Sequence, residues 1–279
     1  MLVNLSEILK DAEDRKYGVG LFNHLNMEMA RGIIEAAEEK KSPVILGVAE
    51  VHLPAVPMEY ATALMKTAAE KASVPVCLHF DHGVDYNAIM LAIKNGFTSV
   101  MFDGSSLPYE ENIAKTREIS KVAHALGVSV EAELGHVGGG EGGVDDGYEA
   151  MYTNVDQVND FIERSDIDAL AVAIGTAHGP YSFTPKLDIQ RLSEIYKISN
   201  KPLVLHGGSG LSVEDFQNTI KNGIRKVNIC TDLCNSLVAS YAESKAQNKP
   251  FEVAAVCAKD AVKETVSKFM DIFGSTGKA

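Results

Sequence analysis

The sequence has no tryptophan and only four cysteines. The cysteines stand at positions 77, 230, 234 and 257, so no two of them form a CxxC pair. Their spacing is neither that of a zinc finger nor that of a thiol–disulfide redox motif. We therefore expect reduced thiols that pack in the core as small apolar side chains.

Positive charge is also scarce. The chain has 26 Lys and Arg residues against 38 Asp and Glu residues, which gives a formal net charge of −12. A general nucleic-acid-binding protein would present a basic face, so this balance argues against that class. An anionic substrate would need a local positive site, built from backbone N–H groups, a lysine or a metal ion.

Long apolar runs are missing as well. No stretch approaches the length of a membrane span, and the first residues lead into a charged, helix-like segment that lacks the apolar region of a signal peptide. The default expectation is a cytoplasmic protein without a membrane partner. No Pro/Ser-rich linker divides the 279 residues, and 46% of them are hydrophobic, so we predict a single domain over residues 1–279.

What the sequence does contain is an alternation of β-prone and helical segments, repeated eight times. The predicted strands are residues 18–23, 44–48, 76–80, 99–103, 129–133, 169–174, 203–206 and 226–229, and the predicted helices are residues 27–41, 59–72, 86–95, 110–126, 155–164, 189–198, 213–222 and 232–244. Near-continuous apolar strands that alternate with amphipathic helices predict a parallel sheet covered on both faces. Eight such units favour a (β/α)8 TIM barrel over an open doubly wound α/β sheet. A helix over residues 5–16 precedes the repeat, and an extra C-terminal helix over residues 254–274 follows it.

Three of these strands end in a histidine that a glycine follows. Asp81 and His82 come after the strand 76–80, His178 follows the strand 169–174, and His206 ends the strand 203–206. Active sites of TIM barrels form at the carboxyl ends of the strands, so these side chains should converge. Three histidines suit a zinc site with an open fourth position, beside which Asp81 can move protons. The alternative is an aspartate that caps a helix and histidines with unrelated surface roles.

Glycine-rich connections follow the last two strands. The segment 207–210 (GGSG) lies between a strand and a helix, and the segment 228–232 (NICTD) holds the corresponding place after strand eight. Backbone N–H groups of such loops and of helix N-termini bind phosphate, and the loops after strands seven and eight form the usual phosphate site of this fold. Either segment alone can be an ordinary turn, but together they predict a phosphorylated substrate.

The segment 135–147 (GHVGGGEGGVDDG) is the longest glycine-rich connection. Its low apolar content predicts a mobile loop over the mouth of the barrel, which can deliver Glu141 as an acid or base. The alternative is a solvated surface loop without a catalytic role.

The sequence resembles the class II zinc-dependent ketose-bisphosphate aldolases, which include fructose- and tagatose-1,6-bisphosphate aldolases. The resemblance covers essentially the whole chain and rests on residues 78–83 (LHFDHG), 99–103 (SVMFD), 130–135 (VEAELG), 171–179 (AVAIGTAHG), 205–211 (LHGGSGL) and 226–229 (KVNI). It implies zinc on His82, His178 and His206, with Asp103 and Glu133 as acidic positions where a displaced or second ion binds. It also implies Asp81 as the acid/base at the C4 hydroxyl and Glu141 as the acid that exchanges a proton on the triose carbon.

The resemblance further implies dihydroxyacetone phosphate held by Gly179, Gly207, Gly208, Ser209, Asn228 and Thr231. A monovalent cation (Na⁺ or K⁺) near the phosphate loops is common in such enzymes, and a homo-oligomer (dimer or tetramer) is the family expectation. The predicted reaction is zinc-dependent cleavage of a ketose 1,6-bisphosphate, of the tagatose or fructose type, to dihydroxyacetone phosphate and glyceraldehyde 3-phosphate. The alternatives are another ketose phosphate as substrate, or a zinc-dependent hydrolase of phosphorylated compounds on the same fold.

Three positions depart from the family pattern. Ala49 stands where many members have serine, Cys230 stands where fructose-specific members tend to have Asp or Asn, and Lys259 is the nearest equivalent of an arginine that binds the distal phosphate. A small uncharged residue at position 230 favours the tagatose type. All three departures concern the aldehyde half of the substrate, while the triose-phosphate half keeps the family pattern.

Overall fold

A parallel β-barrel forms the centre of the protein, in a computed structural model that describes residues 1–139, 151–179 and 185–279. The strands are β1 (Leu2–Val3), β2 (Val19–Asn23), β3 (Val44–Ala49), β4 (Val76–Gly83), β5 (Ser99–Phe102), β6 (Ser129–Leu134), β7 (Ala169–Val172), β8 (Leu203–Leu205) and β9 (Ile224–Ile229). Strands β2 to β9 pair in parallel in the order β4-β3-β2-β9-β8-β7-β6-β5, and a further pairing of β4 with β5 closes the circle. The fold is an eight-stranded TIM barrel.

Helices surround the barrel and follow the strands in turn. They are α1 (Leu5–Arg15), α2 (Met27–Lys40), α3 (Met58–Lys71), α4 (Tyr86–Asn95), α5 (Tyr109–Ala125), α6 (Val158–Ser165), α7 (Ile189–Ile198), α8 (Val213–Lys221), α9 (Thr231–Ala246) and α10 (Phe251–Phe273). Single turns of 3₁₀ helix occupy Glu50–His52 and Val155–Gln157. None of the helices in the described ranges is long and apolar enough to cross a membrane.

The strands have two faces because successive side chains point in opposite directions. Outward side chains such as Phe22, Leu46 and Phe80 join the large cluster that packs against the helices. A separate cluster fills the lower interior of the barrel and consists of Leu5, Ile8, Leu9, Ala12, Tyr17, Val19, Leu21, Ile45, Cys77, Met101, Ala169, Ala171 and Val204. Since its first four members belong to α1, this helix closes the amino end of the barrel.

The upper interior is polar instead. Fully or almost fully buried polar side chains there include Asn23, His79, Asp81, Glu131 and Glu133. On β2 and β4 they stand two or more residues beyond the apolar cluster, toward the carboxyl ends, whereas Glu131 and Glu133 lie level with Ala169 and Ala171 of that cluster on the adjacent β7. Buried polar groups are costly unless they are hydrogen-bonded or bind a ligand, so this layer marks the functional end of the barrel.

The predicted architecture is confirmed, including the N-terminal helix and the extra C-terminal helix. Several boundaries were wrong. The two-residue strand β1, which pairs with β4, was missed because it is too short to show a period. Strands β5, β7 and β8 end one or two residues earlier than predicted, where the ladder stops. Helices α3, α5 and α10 begin earlier, directly after prolines that preset the backbone for the first turn.

Candidate metal and phosphate site

An irregularity in β4 brings two adjacent residues to the same side of the sheet. The predicted strand stopped at Phe80, but β4 continues to Gly83 and contains both Asp81 and His82. The register against β5 shifts between Phe80 and Gly83, and His82 has a left-handed backbone with φ 45°. In a regular strand these neighbours would face opposite sides, whereas a bulge re-aims one of them. Both side chains are buried at the mouth of the barrel.

Three imidazoles meet at that mouth. The ring of His82 lies 4.8 Å from that of His178 and 4.4 Å from that of His206, measured between centroids. One ring nitrogen from each of the three lies within 4.8 Å of the others. Burial lowers the pKa of His206 to about 4 and holds the pKa of His178 well below its usual value, so both rings are neutral. Neutral imidazoles present lone pairs, which is the form that a metal ion requires.

Carboxylates hold two of these rings. Asp103 Oδ2 lies 2.7 Å from His82 Nδ1, and the Ser105 hydroxyl donates a 2.6 Å hydrogen bond to the other oxygen of Asp103. Glu131 Oε1 lies 2.8 Å from His206 Nε2. A carboxylate on one ring nitrogen fixes the ring's orientation and presents the other nitrogen, which is the usual arrangement behind a metal-binding histidine.

Glu133 adds a buried carboxyl group to the same cluster. One of its oxygens accepts a 2.8 Å hydrogen bond from the Val137 N–H, while the other is buried without a hydrogen-bond partner among the described residues. Burial, with the nearby Asp103 carboxylate, raises the pKa of Glu133 to about 8. His82, Asp103 and Glu133 together form a second group of three metal-binding side chains. The donor set of imidazoles and carboxylates is one that zinc accepts.

Asp81 lies beside the histidines with its carboxylate between two amides. Asn23 Nδ2 donates to Asp81 Oδ2 at 3.0 Å, and Asn228 Nδ2 donates to both oxygens at 3.0 and 3.1 Å. Burial by itself would raise the pKa of Asp81, but the positive charges and donors around it, His82 first, hold that pKa well below its usual range. Asp81 is therefore an ionised, oriented carboxylate, as a general base must be.

A buried ion pair lies next to the histidine cluster, inside the barrel. Lys226 Nζ lies 2.9 Å from the Glu131 carboxylate, and both side chains are fully buried. Glu131 thus joins β6 to Lys226 on β9 and to His206 after β8. Removing one partner of such a pair leaves an uncompensated charge in a medium of low polarity.

Replacing Lys226 with methionine is expected to destabilise the protein by about 3–5 kcal/mol, because Glu131 then lacks its cation in a buried position. Urea unfolding of metal-free protein measures this change without a contribution from zinc binding. Lys221→Met on the exposed face of α8 is the matched control, expected within about 0.5 kcal/mol of the parent. A Lys226 variant as stable as the control would show that the pair contributes nothing.

The predicted phosphate-binding residues line one cavity. Its walls are Asn23, His178, Gly179, Gly207, Gly208, Ser209, Asn228, Cys230 and Thr231, which include all six residues predicted for dihydroxyacetone phosphate. Gly207 has φ 64°, and a Cβ there would lie 2.4 Å from the Ala177 carbonyl oxygen, so only glycine fits. Helix α9 begins at Thr231, which places the N-terminus of this helix at the cavity wall, where its dipole favours an anion.

The structure therefore brings together Asp81, the three histidines, Asp103, Glu133 and the six phosphate-loop residues. Glu141 lies outside the described residues. Sequence reasoning missed Asn23, and it gave no role to Glu131 and Lys226. The available signal was a polar side chain within an otherwise apolar strand, as for Asn23 at the end of VGLFN.

The chain matches a known protein family, and several known proteins, over essentially its whole length. The family model described as "Fructose-bisphosphate aldolase class-II" matches residues 3–278. The chain is 41% identical over 310 residues to the fructose-bisphosphate aldolase of Thermus caldophilus, with 100% of both chains covered. It is 42% identical over 286 residues to the probable fructose-bisphosphate aldolase of Bacillus subtilis (strain 168), covering 100% of this chain and 99% of that one. The crystal structure of the YdjI aldolase from Escherichia coli K12 matches with a TM-score of 0.90 and 38% identity, with 100% of both chains covered.

Proposed function

Because the chain belongs to the class-II fructose-bisphosphate aldolase family, we propose that it catalyses the zinc-dependent aldol cleavage and condensation of a ketose phosphate. Dihydroxyacetone phosphate is one product. The observation that carries this proposal is the position of Asp81, an ionised carboxylate between two amides and beside three converging imidazoles. Asn228 also lines the cavity formed by the glycine-rich phosphate loops. The residue that holds the Asp81 carboxylate therefore also borders the predicted phosphate site.

Zinc fits the residues that are present. His82, His178 and His206 would hold it, and the buried oxygen of Glu133 without a hydrogen-bond partner in the described ranges supports a cation near Asp103. When bound, zinc supplies a Lewis acid that polarises the carbonyl group of the triose fragment. Asp103 and Glu131 keep the rings of His82 and His206 in the orientation that binding requires.

The chain's own residues carry the proton transfer. As the C3–C4 bond breaks, its electron pair stays on the triose fragment, and the C4 hydroxyl proton passes to Asp81 while the C4 carbonyl forms. Asn23 and Asn228 hold the carboxylate in place, so no reorientation is needed at the moment of transfer. The return of a proton to the triose carbon is assigned to Glu141 on the basis of the family resemblance.

A coupled assay for dihydroxyacetone phosphate tests the proposal on a panel of ketose phosphates. Release of the triose phosphate, dependent on zinc, is the expected result. Release of inorganic phosphate without triose phosphate would instead indicate the hydrolase alternative, which would not need Asp81 as a base. Binding of ligand with neither product would indicate a sensor.

Cys230 is predicted to influence the stereochemistry at C4. It lines the cavity at the N-terminus of α9, where fructose-type relatives tend to have Asp or Asn. We expect the parent to favour the tagatose configuration, and Cys230→Asp to shift the ratio of kcat/KM toward fructose by about five- to tenfold, the value of one hydrogen bond. An aspartate at a helix N-terminus is itself tolerated.

The comparison uses the two C4 epimers of the ketose 1,6-bisphosphate, and it concerns only that stereocentre. Cys257→Asp on α10, away from the cavity, is the matched control and should leave the ratio unchanged. A strong preference of the parent for the fructose epimer would show that position 230 does not decide the stereochemistry.

Other sequence-based predictions remain predictions. They are a single aldolase domain over residues 1–279, a monovalent cation beside the phosphate loops, a homo-oligomer (dimer or tetramer) and a cytoplasmic location. The prediction that the second product is glyceraldehyde 3-phosphate rests on the family resemblance alone.

A further inference from the structure

Three side chains at the ends of neighbouring strands take no part in the proposed proton transfer. His24 follows β2, His52 ends the 3₁₀ turn after β3, and Cys230 follows β9. These strands are neighbours in the barrel, and Ala49 pairs with Asp81 in the ladder just before the turn that holds His52. The sulfur of Cys230 lies 4.0 Å from His52 Nε2. The group therefore lies on the side of Asp81 toward β2 and β3.

Each of the two histidines has a ring nitrogen without a hydrogen-bond partner among the described residues. His24 is fully buried, with Nδ1 2.9 Å from the Gly47 carbonyl oxygen, and its Nε2 has no hydrogen-bond partner there. His52 Nδ1 is likewise buried without a partner in those ranges. A buried nitrogen without a partner costs free energy, which a hydroxyl group of a ligand would recover.

The same region contains little positive charge. Among the described residues that connect each barrel strand to the following helix, the only Lys or Arg is Lys186, which lies after β7 and is separated from β9 by β8. By sequence, residues 140–150 and 180–184 contain no Lys or Arg either. Lys259 is paired with the carboxylates of Glu35 and Asp260.

A phosphate dianion at this place would therefore lack a lysine or arginine partner among the described strand–helix connections of this chain. Proteins bind such groups with arginine, lysine or several backbone N–H groups. Here the imidazoles are neutral, because burial lowers the pKa of His24 to about 4 and also lowers the pKa of His52. Glu50, half-buried in the same turn as His52, adds no positive charge to this turn. A neutral imidazole can both donate and accept a hydrogen bond, which suits a hydroxyl group.

We propose that His24, His52 and Cys230 form the subsite for the aldehyde half of the substrate, and that this half is an uncharged hydroxyaldehyde. The substrate class is then a ketose 1-phosphate, with its only phosphate in the triose half. This inference rests on the proposed aldolase function, and it replaces glyceraldehyde 3-phosphate as the predicted second product.

The test is the condensation reaction of the zinc-loaded enzyme with dihydroxyacetone phosphate and one of three aldehydes: D-glyceraldehyde, D-glyceraldehyde 3-phosphate or propanal. We expect kcat/KM for glyceraldehyde to equal or exceed that for its phosphate, and to exceed that for propanal by about tenfold or more. A preference of tenfold or more for the phosphorylated aldehyde overturns the inference, whether this chain or a second copy supplies the cation.

Variants of His52 separate recognition from structure. His52→Ala should lower kcat/KM for glyceraldehyde by about tenfold, mainly through KM, and leave propanal unchanged. His52→Arg should raise the ratio of phosphorylated to free glyceraldehyde by about tenfold, because it adds the missing cation. His124→Ala on α5, where His124 pairs with Asp168, is the control and should change neither ratio. If His52→Ala lowers kcat/KM equally for all three aldehydes, His52 has a structural role, and its assignment to the aldehyde subsite is overturned.

The two proposals fail in different ways. If the zinc-loaded enzyme joins none of these aldehydes to dihydroxyacetone phosphate, the aldolase function fails, and the inference fails with it. If it joins all three but strongly prefers the phosphorylated one, the function stands and only the uncharged subsite is wrong.

Discussion

Replacing Asp81 with alanine is expected to lower kcat/KM for aldol cleavage by about a hundred- to ten-thousand-fold, the usual value of a general base. The reason is that the C4 hydroxyl proton then has no oriented acceptor. Asn23 and Asn228, which hold the carboxylate, can only donate from their Nδ2 atoms at this position and cannot replace it. Zinc and dihydroxyacetone phosphate should still bind, since the three histidines and the glycine-rich cavity are unchanged.

The measurements are steady-state cleavage kinetics, zinc content, and the affinity for dihydroxyacetone phosphate. Asp85→Ala is the matched control, because Asp85 is an exposed carboxylate four residues away that caps α4. Its loss should cost about 1 kcal/mol of stability and little activity. If kcat/KM of the Asp81 variant is within a few-fold of the parent value, another residue must be the base. If the variant no longer binds zinc, Asp81 is part of the metal site.

Removing the metal is expected to abolish cleavage, and adding zinc should restore it. The three histidines lie at the mouth of the barrel, whereas the apolar interior and the helix-facing cluster are separate from them. The metal-free protein should therefore stay folded, unlike a zinc finger whose core depends on the ion. Zinc binding should still raise the unfolding midpoint, because it binds the folded state only.

Circular dichroism and activity, measured on the same metal-depleted sample, check both parts of this prediction. His178→Ala is a companion variant that should weaken zinc binding without unfolding the barrel. Full activity in thoroughly depleted protein would rule out the metal. Loss of the folded spectrum on chelation would show that the barrel depends on the ion after all.

The fold and much of the site could be predicted because their signals are local in sequence. Alternation of apolar strands with amphipathic helices is visible within windows of ten to twenty residues, and eight repeats select the barrel. Strand-end residues such as His178 and His206 could then be placed on one rim without coordinates. Gly207 was likewise recognisable from the glycine-rich loop, although its clash-free approach to Ala177 was not.

Contacts across the barrel could not be predicted in this way. Asn228 and Asp81 are 147 residues apart in sequence, and Lys226 and Glu131 are 95 residues apart. Whether such side chains meet depends on the register between strands and on the tilt of the barrel, which no local pattern encodes. Asn23 therefore looked like the polar end of an apolar strand, not like a partner of the catalytic carboxylate.

The sequence by itself determined the barrel, the order of its strands, and the rim on which the histidines and phosphate loops lie, because hydrophobic periodicity and strand-end chemistry are properties of short segments. Tertiary structure alone decided that Asp81 and His82 face the same side, through a shift of register against β5 and a left-handed backbone at His82. It also decided which buried polar atoms have hydrogen-bond partners within the protein and which remain available to bind a ligand. Both features depend on contacts between residues that are distant in sequence. Because these polar groups are buried, each hydrogen bond that is made or missing changes the free energy of the folded protein.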